Sequence, residues 1–73
     1  MRNSISAQTD MVLDHLRGGP ITPLDALKLY GCFRLAARVY DLRKDGHDII
    51  TQRYTTDGGA VVAEYHLLGQ AHP

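Results

Sequence analysis

Between Thr22 and Gly46 the apolar positions fall into two short helical patterns, broken at Tyr30-Gly31. In the first, Leu24, Ala26 and Leu27 make a brief apolar stripe. In the second, Cys32, Leu35, Ala36, Val39 and Leu42 recur at the 3.6-residue spacing of one helix face. Upstream, Ile5, Val12, Leu13 and Leu16 mark the inward side of an earlier helix that Ser4 or Ser6 would cap and that would run through Arg17. Gly18-Gly19-Pro20 stops it. Beyond Gly46 the pattern changes to alternation, predicting one strand from Asp48 to Tyr54 and another from Ala60 to Leu68. Val61, Ala63, Tyr65 and Leu67 share one side of the latter, and Val62, Glu64 and His66 the other. The loop Thr55-Thr56-Asp57-Gly58-Gly59 joins the strands, its Asp-Gly-Gly supplying positive φ angles for a hairpin. The expected class is α+β, with three helices followed by a two-stranded antiparallel hairpin.

The helix boundaries have local causes. Thr22 can cap the unpaired amides of the next turn, and Pro23 occupies the first helical position, where a missing N–H costs nothing. Asp25 completes something close to a capping box and sets a negative charge at the positive helix end. Gly31 suits a left-handed residue that ends this helix. The third helix should begin near Cys32 or Phe33 and stop at Asp45, with Gly46 terminating it.

The third helix would turn Phe33, Arg34, Ala37, Tyr40, Asp41 and Lys44 away from its apolar face, with Arg38 and Arg43 at the borders. A plain reading has the two aromatics packed on neighbours and the cations merely solvated. A sharper reading is a presented surface on which Ala37 permits close approach, cations meet phosphate or carboxylate, and Tyr40 offers a flat contact.

Helix, helix, helix, hairpin is the order of a winged helix, with the hairpin as the wing. The chain resembles the small winged helix-turn-helix domains common in phages and prophages. The matching residues are Leu13, Leu16, Gly19, Ile21-Thr22, Ala26-Leu27, Tyr30-Gly31, Arg34-Leu35-Ala36-Ala37-Arg38, Leu42-Arg43 and Gly46, with Val62 to Leu67 similar to the family's closing strand. The likeness runs from about Gln8 to Leu68 and implies a transcription regulator. If double-stranded DNA is the partner, Phe33, Arg34, Ala37, Arg38 and Asp41 would face the major groove. Lys44 and Arg43 would hold the backbone from the far end of the helix, and Arg53 and Tyr54 from the wing. Thr22 and the amide end of the second helix would take another phosphate.

Charge pulls against a simple DNA reading. Eight basic and eight acidic residues cancel, whereas nucleic-acid-binding domains usually carry a basic excess. The cations are nevertheless concentrated: residues 32–54 hold five basic and three acidic side chains, and residues 55–73 hold two acidic and none basic. So few cations give a monomer weak, salt-sensitive binding, and a homodimer or larger assembly is needed for tight binding. The competing expectation is a protein-binding winged helix, since Phe33, Tyr40 and Tyr54 beside arginines have the composition enriched at protein interfaces. The chain is similar in size and general type, with no motif to match, to a short Xanthomonas phage protein that binds host bacterial RNA polymerase, blocks initiation and favours antitermination. Under that reading the arginine-rich helix face grips the polymerase.

The 73 residues fit one small domain over residues 6–68, with an N-terminal arm at residues 1–5 and a polar tail at residues 69–73. No apolar run approaches the ~20 residues that span a bilayer, and no signal-peptide pattern opens the chain. The single cysteine forms no internal disulfide and suits a reducing cytoplasm, that of a bacterial host if the chain is phage-encoded. His15, His47, His66 and His72 are scattered without metal-ligand spacing. Gly58-Gly59 belongs to a hairpin tip and opens no helix, so it is no phosphate loop. No enzyme activity, metal, cofactor or small-molecule substrate is expected.

Overall fold

Five elements form in the expected order. In the computed structural model, which describes residues 5–69, α1 spans Ile5–Gly18, α2 Pro23–Tyr30, α3 Leu35–Lys44, β1 Asp48–Thr55 and β2 Val61–Leu68. The backbone of Ser6 lies inside α1, past the position of an N-cap. A cap from Ser4, most of the arm and most of the tail fall outside the described residues, as does the inward side chain expected of Ile5.

The α2 start behaves as its sequence predicts. The Thr22 hydroxyl accepts from the Asp25 amide, and the Asp25 carboxylate accepts from the Thr22 amide, both at 3.1 Å. This reciprocal capping satisfies two amides that the helix cannot pair internally. At the other end Gly31 takes φ 63°, a left-handed conformation that favours glycine. Its amide donates to Leu27 O and that of Cys32 to Ala26 O. The backbone of residues 31 and 32 is therefore engaged in closing α2, and the chain reaches helical geometry only at Leu35. The expected start of α3 at Cys32 or Phe33 is corrected accordingly: Phe33 and Arg34 lie in the turn, with Arg34 at the cap position.

The core lies between the helices and the root of the hairpin. Val12 and Leu16 from α1, Ile21, Ala26 from α2, Cys32, then Leu35, Val39 and Leu42 from α3 and Ile49 from β1 are buried together. Leu13, Tyr30, Tyr65 and Leu67 pack around them. Three expected apolar-face positions are corrected. Ala36 is exposed, and the α2 stripe reduces to Ala26, because Leu24 and Leu27 face outward. A helix of only two turns buries one narrow strip, and the smallest residue occupies it where α2 approaches α1 and α3.

His15 fastens this arrangement. Its Nε2 lies 3.0 Å from the Pro20 carbonyl and its Nδ1 2.9 Å from the Tyr30 hydroxyl, with the two rings edge to face. A carbonyl can only accept, so Nε2 donates to it, and in the neutral ring Nδ1 accepts from Tyr30. One side chain of α1 thus holds both ends of the path into and out of α2.

The strands pair antiparallel from Asp48↔Leu68 to Thr55↔Val61. The hairpin turns through a bond from the Gly59 amide to Thr56 O, and the Thr56 amide donates to Ala60 O. Only Gly59 of the two tip glycines takes a positive φ, 87°. The loop is therefore a turn with one left-handed residue, which leaves Ala60 outside β2. Beyond the expected pairing, Ile21 bridges Tyr65 through two backbone bonds of 3.0 and 2.9 Å. This single extended residue between α1 and α2 ties the hairpin root to the helices.

Candidate functional site

The outward side of α3 carries both cations and room for a partner. Leu35, Val39 and Leu42 point into the core, so the far side carries Ala37, Tyr40, Asp41 and Lys44, three and four residues apart. Ala36 joins its border. Two alanines in succession leave the helix backbone approachable, and Tyr40, 61% exposed, stands beside them. Ahead of the helix, in the turn, Phe33 is 84% exposed, the most open large hydrophobic side chain among the described residues. Phe33, Arg34, Leu35, Ala36 and Ala37 line an open depression together with Pro23 and Tyr65.

The four cations of this segment have different fates. Arg34 is exposed, without a bonded partner among the described residues, beside a helix start that no side chain caps. Such an end favours an anion. Lys44 is exposed at the opposite end, its Nζ 5.5 Å from the centre of the Tyr40 ring. Arg38 is drawn inward: its side chain is only 11% exposed and its Nε donates to Asp41 Oδ2 at 3.2 Å. Arg43 reaches away from the helix surface, donating from Nε to Ile49 O at 2.9 Å and from a terminal nitrogen to Thr51 Oγ1 at 3.2 Å. Its guanidinium clamps the end of α3 to β1, so its position sets where the wing stands relative to the helix.

Arg43→Leu tests that geometry. An exposed arginine with no structural task tolerates replacement within about 0.5 kcal/mol. Here the loss of charge-assisted hydrogen bonds to a backbone carbonyl and a hydroxyl should lower unfolding free energy by about 1–2 kcal/mol in urea titrations. A neutral result would release Arg43 from the clamp.

On the wing, Arg53 and Tyr54 are adjacent in one strand and therefore point to opposite faces. The register puts Arg53 on the face of Ile49, Thr51 and Tyr65, the side toward the helices, and Tyr54 on the opposite face across from Val62. Arg53 is exposed and has no bonded partner among the described residues. The two wing residues named for backbone contact thus lie on opposite faces, and of the two Arg53 shares the α3 side. Thr22 is likewise committed, because its amide already has the Asp25 carboxylate, which would repel a phosphate. On the outer face of β2, His66 Nε2 and Glu64 Oε1 are 2.9 Å apart.

Sequence reasoning missed the Arg43 clamp, the His15 lock, the Ile21 bridge and the exposure of Ala36. Only the bridge had a visible signal, the β-branched pair Ile21-Thr22 after Gly-Gly-Pro. Among the described residues no group of three or more His, Cys, Asp or Glu side chains is placed to hold a metal ion. No helix among them is long and apolar enough to cross a membrane.

No curated protein and no solved structure matches the chain. A family model described as a winged helix-turn-helix domain matches residues 7–70. With three helices and an antiparallel wing in that order, the chain belongs to the winged helix-turn-helix domain family.

Proposed function

We propose that this domain is a small transcription regulator that sets the outward side of α3 into the major groove of double-stranded DNA. The observation that carries the reading is a helix face with small residues in its first turn and cations without ion-pair partners among the described residues at its two ends. Ala36 and Ala37 allow the helix to sit close to base edges, Arg34 and Lys44 meet phosphates at either end, and Arg53 meets one from the wing. Phe33 and Tyr40 supply apolar contact, for which a thymine methyl is the natural counterpart. A domain with three such cations binds weakly alone, so a homodimer, or a larger assembly, gives the affinity a regulator needs. The family resemblance supports an origin in a phage or prophage, with action in a bacterial cytoplasm.

A protein partner is the second reading, and a specific observation favours it. Leu24 and Leu29 of α2 are each 61% exposed, in addition to Phe33 and Tyr40, on a chain with no net charge. Bacterial RNA polymerase is the partner this reading names, with inhibition of initiation or antitermination as the outcome.

Isotope-labelled protein mixed with random duplex at low salt separates the two. Under the DNA reading the amide signals of residues 34–41 move, and Arg34→Ala reduces the salt slope of binding by about 1. Unmoved signals, with polymerase retained by the tagged protein from nuclease-treated lysate, transfer the function to the second reading.

A further inference from the structure

The Arg38–Asp41 pair places a fixed carboxylate on the side of α3 that meets the groove. Asp41 shares that side with Ala37 and Lys44, and its side chain keeps 36% of its surface open. Arg38, at 11%, is the more deeply held partner. Its Nε takes Asp41 Oδ2, which orients the carboxylate and leaves its other acceptor sites without a partner among the described residues. A carboxylate here is unfavourable beside phosphates and beside the acceptor edges of guanine and thymine. It is favourable opposite a hydrogen-bond donor, and the cytosine N4 amino group is the donor that a carboxylate pairs with in the major groove.

We infer that Asp41, oriented by Arg38, is a specificity-determining residue that accepts from the N4 amino group of a cytosine and disfavours other bases at that position. This rests on the DNA-binding reading and assigns it a base. The same residue lowers affinity for DNA in general, through its own charge and by occupying Arg38. The neutral balance of the chain is then the counterpart of selectivity: a cation that could have gripped any phosphate is spent on aiming an acceptor at one base.

The test is selection of binding sites from a random duplex library by the wild-type protein, Asp41→Ala and Asp41→Asn, with binding to random duplex measured alongside. Wild type should enrich sites with a C·G pair at one fixed position, preferred about fivefold or more over the alternatives. Asp41→Ala should lose that preference, bind random duplex about threefold more tightly, and show a salt slope steeper by about 1 as Arg38 becomes available. Asp41→Asn retains the size and one acceptor oxygen, guards against a folding defect in the alanine variant, and should also gain affinity for random duplex. An unchanged preference in Asp41→Ala, or a weaker grip on random duplex in both variants when their amide spectra remain folded, overturns the inference while the DNA-binding reading stands. Failure of the wild-type protein to bind any duplex at low salt overturns that reading, and the inference with it.

Discussion

Leu42→Ala is expected to lower the free energy of unfolding by about 2–5 kcal/mol. Leu42 is 2% exposed and lies in the α3 row, with Leu35 and Val39, that packs into the core. The packing of α1 on α3 is the most extensive between any two helices here. Burying a leucine contributes about 1.5–3 kcal/mol by transfer from water, and a rigid surround adds the cavity left behind. A chain of 73 residues has little to spare, since stability runs at about 0.05–0.15 kcal/mol per residue. The substitution should therefore remove about half of the total at mid-range values and lower the melting temperature by roughly 10 °C or more. Thermal and urea unfolding followed by circular dichroism measure it. Leu24→Ala is the control: that side chain faces outward, and its loss should stay within about 0.5 kcal/mol. Equal losses at both positions would mean that the outer side of α2 is covered, and would shift the site away from α3.

Duplex affinity is expected to fall about 40-fold between 50 and 200 mM monovalent salt, the result for about three phosphate contacts. The count follows from which cations remain available. Arg34, Lys44 and Arg53 are exposed without ion-paired partners among the described residues, whereas Arg38 is held by Asp41 and Arg43 by Ile49 O and Thr51. If all five met phosphates, the same change of salt would weaken binding about 500-fold. Fluorescence anisotropy with a labelled random duplex over that range separates the two cases by the slope alone. A slope near −4.5 would show that the internal contacts of Arg38 and Arg43 break when DNA arrives; no binding at any salt would remove DNA as the direct partner.

The order of elements was legible because each boundary has a local cause. Thr22-Pro23-Leu24-Asp25 starts a helix by satisfying its own first amides, Gly31 ends it with a backbone angle that other residues resist, and the alternation after Gly46 can bury one face only as a strand. The start of α3 was not legible to the residue. Cys32 has the spacing of an α3 core residue and is indeed buried, yet its amide serves α2. Periodicity reports which side chains are buried and is silent on which helix owns the backbone between them. The same limit explains Leu24 and Leu27: a leucine in a helical pattern is apolar everywhere, but a short helix has room to bury only one strip.

The candidate surface was legible as a segment and not as a set of contacts. A cation-rich helix with two alanines in its first turn can be read from residues 34–44 alone. Whether Arg43 is available depends on distances between elements. Arg43 and Ile49 are brought together by the turn at Gly46, and Arg53 parts from Tyr54 through the pleat of the strand.

From its residues alone this chain determines three helices, both ends of α2, a hairpin wing, and a helix rich in cations, because those properties come from interactions within a few residues. Tertiary structure alone decided that Ile21 joins the wing root to the helices, that His15 locks α2, and that Arg43 is engaged on β1. Hydrogen bonds and burial depend on positions in space, and residues distant in the chain acquire those positions only when the core closes.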